Sequence, residues 1–361
     1  MNPVIPGPVP VPLPAPPGLL EFLLVFTFIL HLLAMNFLLG GVIILAVSGF
    51  RGRRNFRHQE LTRRVSRALP PVTAFTITLG VAPLLFLQLV YGQLFYTSSV
   101  LMAWYWLAVV VLVLLGYYGV YWYHMKHDEL GPKGVWVMLA TAVLFLLVAF
   151  MFTQNITAML HPLEFYPLFL SGQVGKIFGP VPPLNLARLA HFVVAAVALA
   201  GLGIALLSSR WRADSPELAA WARRYGVTWF MGGTLVQFLV GLWFLFSLPA
   251  EIRQALVGEK FAVGVLVVGI LLALLALLTA PKSLGAASVA ILGTVSAMAV
   301  LRHLVRLAYL RPYFDPHSLP VQGQWVVFSI FVALLLAGLA TVGWMLSVFH
   351  RPAANSRRVS V

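Results

Sequence analysis

"FTFILHLLAMNFLLGG" (residues 26–41) is an apolar run with one imidazole, His31, near its middle. A lone histidine in a packed core ordinarily makes one hydrogen bond and has no further role. The surroundings of this stretch decide whether that reading holds. Hydrophobic residues make up 61% of the 361-residue chain, only 9% are charged, and mean hydropathy is +0.93. A water-soluble fold cannot hide that much apolar surface. Repeated apolar runs of about 20 residues are the signature of helices that cross a bilayer.

Nine such runs are read, at 19–50, 72–96, 99–126, 134–159, 184–208, 225–248, 260–280, 283–308 and 324–349. The expected fold is all-α and polytopic, with one membrane domain over 19–349. A Pro-rich extended segment (1–18) precedes it and a basic tail (350–361) follows it. No cleavable signal is read in "MNPVIPGPVPVPLPAPPG", which lacks the basic start such signals carry.

Orientation follows from Lys and Arg. The loops after spans 1, 3, 5 and 7, together with the tail, hold 17 of the 24 basic residues. The stretch "RGRRNFRHQELTRRVSR" (51–67) alone holds seven. Cytoplasmic loops carry the basic excess, so the N-terminus is expected outside and the C-terminus inside, in a bacterial-type cytoplasmic membrane. The net charge of +14 is then a topology signal that favours anionic lipid headgroups. Nucleic acid is excluded as a partner, because the basic loops are short.

On this topology four histidines share the outer layer of the membrane. His31 lies in span 1, His191 about two turns into span 5, His161 at the end of span 4, and His303 at the end of span 8. His58, His124, His127 and His350 fall at the inner face, and His317 in an outer loop. Spans 1–4 and 5–8 read as two four-helix units of equal orientation plus one further helix. Each unit has a histidine on its first helix and another at the end of its fourth, an arrangement of the kind parallel repeats produce. Histidine inside a span is functional by default. At His161 and His303 water is close, and a structural role competes equally. The pair His124 and His127 has metal-compatible spacing but stands beside a basic loop, where a solvated helix end is the commoner outcome. Arg188, one turn before His191, faces either a carboxylate of a cofactor or the headgroups.

There is no cysteine. Thiolate metal sites, iron–sulfur clusters and covalent haem attachment are thereby excluded. No Asp or Glu is seen accompanying the histidines within the spans, which argues against zinc. Haem iron needs one or two axial ligands and the porphyrin is apolar. The aromatic content of 13% provides suitable surroundings for haem b.

The order of these features resembles the large subunit of cytochrome bd quinol oxidases. That family has nine helices with the N-terminus outside. It carries a haem-ligating histidine in helix 1 and another near the outer start of helix 5, positions matched by His31 and His191. "TITLGVAPLLFLQLVYGQLFY" (76–96) resembles the family's helix 2, with Gly92 matching the glycine of its Gly-Thr-Asn-Trp motif and Gln88 standing where a glutamate is usual. "FMFTQNITAMLHP" (150–162) resembles the end of helix 4, with Pro162 matching a proline there.

The departures carry as much weight. The family's helix 3 carries glutamates, and "AWYWLAVVVLVLLGYYG" (103–119) has none. Its helix 7 supplies a methionine to the low-spin haem, and "FAVGVLVVGILLALLALL" (261–278) has none. The helix 8 region, where the family has an acid, reads Arg302, His303. The long quinol loop shrinks to "SLPAEIRQALVGEK" (247–260).

The resemblance therefore implies a relative that kept haem positions and lost oxygen chemistry. Such a chain is a b-type haem subunit, with one or two haems, that moves electrons between quinol and a c-type cytochrome outside, as part of a quinol:cytochrome oxidoreductase. A divergent terminal oxidase and a cofactor-free membrane anchor are the alternatives. The iron ligands are expected to be His31 and His191. His303 is favoured over Met298 as second ligand opposite His191, with Arg188, Arg302 and His161 nearby. Candidate bases on the quinol side are His161, Glu164, Asp315 and His317.

Overall fold

The basic stretch after the first apolar run folds into structure of its own. The Asn55 side chain accepts the Arg57 N–H at 2.9 Å, which caps a helix over Phe56–Ser66. Leu61 and Val65, four residues apart, are buried on its inner face, while Arg57 near its start is exposed. The computed structural model describes residues 7–8, 11–52, 55–176 and 183–349. The expected basic tail at 350–361, with His350, lies outside the described residues, as does part of the Pro-rich segment.

In chain order the helices are α1 (Pro17–Gly52), α2 (Phe56–Ser66), α3 (Leu69–Leu101), α4 (Ala103–Met125), α5 (His127–Leu130), α6 (Gly134–Met159) and α7 (Phe165–Leu170). Then come α8 (Pro183–Leu207), α9 (Pro216–Ser247), α10 (Ala250–Gly258), α11 (Lys260–Thr279), α12 (Leu284–Leu310) and α13 (Trp325–Phe349). Among the described residues eight helices are long and apolar enough to cross a membrane, and α13 stands at the ninth expected position. The fold is thus all-α and polytopic, as the apolar runs require.

The helices pair in a repeated pattern. Helix α1 packs on α3 as α8 packs on α9, α4 packs on α6 as α11 packs on α12, and α1 against α8 joins the two sets. These are the corresponding members of the two four-helix units read from the sequence. Glycines permit the closest crossings. A Cβ on Gly201 of α8 would lie 2.7 Å from the Gly226 carbonyl oxygen of α9, so only hydrogen fits there.

The basic loops gather at one end of the bundle. There Arg64 donates to the Ser215 hydroxyl at 2.9 Å and lies over the Trp211 ring, and His127 Nε2 pairs with the Thr62 hydroxyl at 3.1 Å. Arg223 donates to the Pro281 carbonyl at 2.8 Å. At the opposite end the Pro-rich segment runs beside the loop before α13. Leu13 donates to the Pro320 carbonyl and accepts from the Gln322 N–H, both at 2.8 Å.

Because the short loops with the basic excess are clustered, the end holding 51–67 is expected to face the cytoplasm. A cysteine placed at Gln59 (Gln59→Cys) should be labelled by an impermeant maleimide only after the membrane is opened. Labelling in intact cells would invert the topology.

At that same end Glu60 accepts from Arg63 at 2.7 Å and from Arg64 at 2.6 Å. The Arg63 hydrogen bonds first, and then those of Arg64, hold its carboxyl down at about 2, against an ordinary 4.5. A carboxyl depressed in the folded state stabilises above its unfolded value and loses that contribution as pH falls toward the folded one. Amide exchange in α2 should therefore accelerate as pH drops from about 5 to 2, relative to the intrinsic rate. In Glu60→Gln that acceleration should vanish, and its persistence would show that another group ties α2 down.

Candidate functional site

His31 sits in α1 against a bare patch of α3. A Cβ on Gly80 would lie 2.9 Å from His31 Cε1, so the glycine makes room for the ring. His31 Nδ1 is 3.0 Å from the Thr76 carbonyl oxygen. A carbonyl only accepts, so Nδ1 carries the proton and donates. The lone pair is left on Nε2, which has no hydrogen-bond partner among the described residues. Metal-binding histidines are oriented in this manner, by a carbonyl that holds the nitrogen turned away from the metal.

His31 lines a cavity of about 350 Å3 enclosed mainly by α1, α3, α4 and α6. Its walls are apolar: α4 contributes Val109 and Val113, and α6 contributes Phe145 and Phe152. Among the described residues no Asp or Glu lines it, yet three arginines do: Arg188 from α8, and Arg302 and Arg306 from α12. Arg188 and Arg306 are 7% and 5% exposed. Arg188 donates to the Thr157 hydroxyl at 2.7 Å. Arg302 stacks over Phe28, 4.3 Å from its centroid. Arg306 lies over the Tyr91 ring at 5.1 Å and leaves Nη1 without a hydrogen-bond partner. Among the described residues none of the three forms a salt bridge with a carboxylate. Buried cations without an anion are costly. A guest with carboxylates and an apolar body answers the cost, and haem b, which needs a nitrogen ligand and has two propionates, fits these residues.

His191 occupies the equivalent place in the second unit. Its ring faces Gly241 of α9, where a Cβ would lie 3.6 Å from Cε1, and it packs at 5.7 Å on Phe244. Gln237 donates to its backbone carbonyl at 3.1 Å. Each of the two first-helix histidines thus meets a glycine of the next spanning helix. His191 does not line the His31 cavity, and its Nδ1 is buried without a partner.

The other expected residues are distributed as follows. Met298 is turned to Gly269 of α11, where a Cβ would come within 2.6 Å of its terminal methyl. His303 Nε2 faces Glu21 Oε1 at 3.8 Å. His161 pairs with the Thr157 carbonyl at 2.8 Å and stacks edge-on against Tyr309 at 5.6 Å. Glu164 is exposed, and Asp315 accepts the His317 N–H at 2.9 Å. At the basic end His58 packs edge-on against the stacked pair Trp221 and Tyr225, and among the described residues no group of three or more metal-ligating side chains occurs.

One expectation is overturned. A carboxylate does stand within span 1, and it accompanies His303 and His317 rather than His31 and His191. Glu21, ten residues before His31 in α1, lies 3.3 Å from His317 Nε2 and accepts from the Tyr91 hydroxyl at 3.3 Å. It is a charged residue in an apolar run and is thereby a functional candidate. A second missed feature is a buried polar ladder where α6 ends. Asn185 donates to Gln154 at 2.5 Å, its side-chain oxygen accepts from Thr157, and Thr157 meets Arg188. Ser98 and Ser99 of α3 bond Asn155 at 3.0 and 3.1 Å. This ladder orients Arg188 toward the cavity.

No family model and no curated protein sequence matches the chain. Its structure is similar to that of the bd oxidase from Geobacillus thermodenitrificans, with a TM-score of 0.66 and 14% identity. The match covers 94% of this chain and 100% of that one. The resemblance to the large subunit of cytochrome bd quinol oxidases is borne out at the level of fold.

Proposed function

We propose that the chain is a b-type haem subunit of a membrane electron-transfer complex related to quinol oxidases. The observation that carries this reading is the acid-free apolar cavity that joins a free imidazole nitrogen to three guanidinium groups. In it His31 Nε2 would hold the haem iron, with the ring's tautomer fixed by the Thr76 carbonyl. Arg188, Arg302 and Arg306 would meet the propionates, and the apolar walls would face the porphyrin. A haem so held supplies a one-electron couple. His191, whose ring has a buried nitrogen with no hydrogen-bond partner among the described residues, would hold the iron of a second haem. A quinol is the electron donor and a c-type cytochrome the acceptor, both at the end of the bundle where α1 begins and His161 and His317 lie. His303, favoured as the second ligand, is assigned here to Glu21 instead, because its Nε2 is turned that way.

The test is an absorbance spectrum of the purified protein, which should show a haem b Soret band and a reduced α band. A blank spectrum leaves the membrane-anchor reading. Quinol-dependent oxygen uptake should stay at the autoxidation background, because α4 offers the cavity valines and no carboxylate for proton delivery. Robust cyanide-sensitive uptake would establish a terminal oxidase instead.

A further inference from the structure

Glu21 is the one acid in the α1 span, and it is surrounded from three sides. From α3, Tyr91 donates to it at 3.3 Å. From α12, His303 faces it at 3.8 Å, and Arg306 lies over the ring of the Tyr91 whose hydroxyl donates to it. From the loop after α12, His317 Nε2 approaches at 3.3 Å, with Asp315 capping the His317 N–H. The Glu21 side chain is 12% exposed and that of His317 is 58% exposed. The cluster therefore has one member in water, His317, and one member lining the cavity, Arg306. Tyr91, wholly buried, and Glu21 connect them.

We propose that Glu21 is the proton-binding group that couples the redox state of the cavity's occupant to the aqueous face at the start of α1. The inference rests on the haem reading. Arg306 and Glu21 meet at Tyr91, the cation over its ring and the carboxylate at its hydroxyl. Adding an electron to the cavity places a new negative charge behind Arg306 in a low-dielectric interior, where it acts at full strength on its neighbours. Glu21 then takes one proton from outside water by way of His317. On oxidation the electron leaves and the proton returns by the same route. One electron and one proton enter together, and the net charge of the site is unchanged. Tyr91 keeps its hydroxyl proton throughout and positions the carboxylate. His303 closes the cluster on the α12 side.

The experiment is a spectroscopic redox titration of the haem-loaded full chain at several pH values. The midpoint should follow pH, approaching a tenfold change in the reduction equilibrium per pH unit, which is about 59 mV for one electron. Glu21→Gln at full haem content should flatten that dependence. Glu21→Asp should retain it and move the pH at which the slope breaks. A Glu21→Gln protein with the wild-type slope overturns the inference and leaves the haem reading intact. So does a wild-type midpoint that ignores pH. If Glu21→Gln does not accumulate, Glu21→Asp decides, and an unmoved break overturns the assignment. A chain that binds no haem overturns the haem reading itself and this inference with it.

Discussion

His31→Ala should strip the haem from the α1 cavity and leave the protein folded in the membrane. The imidazole offers the cavity its one nitrogen ligand, and its other nitrogen is spent on the Thr76 carbonyl. Loss of a group that only orients a metal ligand already costs 10–100-fold in affinity, so loss of the ligand itself should lower occupancy of that cavity by more than about tenfold. The fold should hardly notice. The substitution removes one hydrogen bond, worth about 1 kcal/mol, and its acceptor carbonyl is still inside its own helix. His191→Ala should remove a separate share of the absorbance, because that ring faces α9 and not the same cavity. The double variant should be colourless. Pyridine haemochrome content per protein, with melting of the detergent-solubilised chain as the folding control, measures all three. Two single variants with full haem content would refute the ligand assignment.

Gly80→Ala tests the same geometry without touching a ligand. Its methyl would meet the His31 ring, and that ring has no slack while Nδ1 is tied to Thr76. A broadened or shifted Soret band is the expected result, with haem still present.

How much of this was legible in the chain follows from which signals are local. The apolar runs and the basic loops are local, because length and charge decide them residue by residue, and the helices stand where those runs stand. His31 was legible as an imidazole at depth in an apolar run. What it bonds was not, since a backbone carbonyl at Thr76 has no side-chain signature. Arg188, Arg302 and Arg306 come together only through the packing of α8 and α12 beside α1, a tertiary event with no short-range pattern. In the sequence Arg188 was read toward a cofactor carboxylate or the headgroups, and Arg302 as a residue near the haem. Arg306 counted only toward topology. Glu21 is a different case. Its partners are 70 or more positions away, but its place ten residues before His31 in a continuous apolar run is a local signal, of the same kind as an imidazole at depth. The same holds for α2, whose Asn55 cap and buried Leu61 and Val65 are a helical pattern inside a stretch read as a loop.

The join between the two four-helix units is the place where one added side chain should do the most damage. Gly40 of α1 faces the backbone of α8. A Cβ built there overlaps the Ala196 carbonyl and comes within 2.7 Å of the Ala200 Cβ. Those are main-chain and Cβ atoms on a fully buried face, and no rotamer change moves them. Relief requires α1 and α8 to separate along the contact that unites the halves. Ordinary overpacking of a core costs about 1–3 kcal/mol because side chains shift. Here two spanning helices must shift, and the cost should exceed that range. Membranes supply no hydrophobic drive to hold helices together, so close packing at small residues is what keeps them paired. Gly40→Leu should therefore fail to accumulate as a folded, monodisperse protein in detergent. Gly40→Ala should lower the melting temperature and loosen the His31 cavity, one wall of which is α1. Gly264→Leu is the control, because nothing lies within 4 Å of a Cβ on Gly264, and it should match the wild type. Full accumulation of Gly40→Leu, with the wild-type melting temperature, would mean that α1 and α8 do not meet at this glycine.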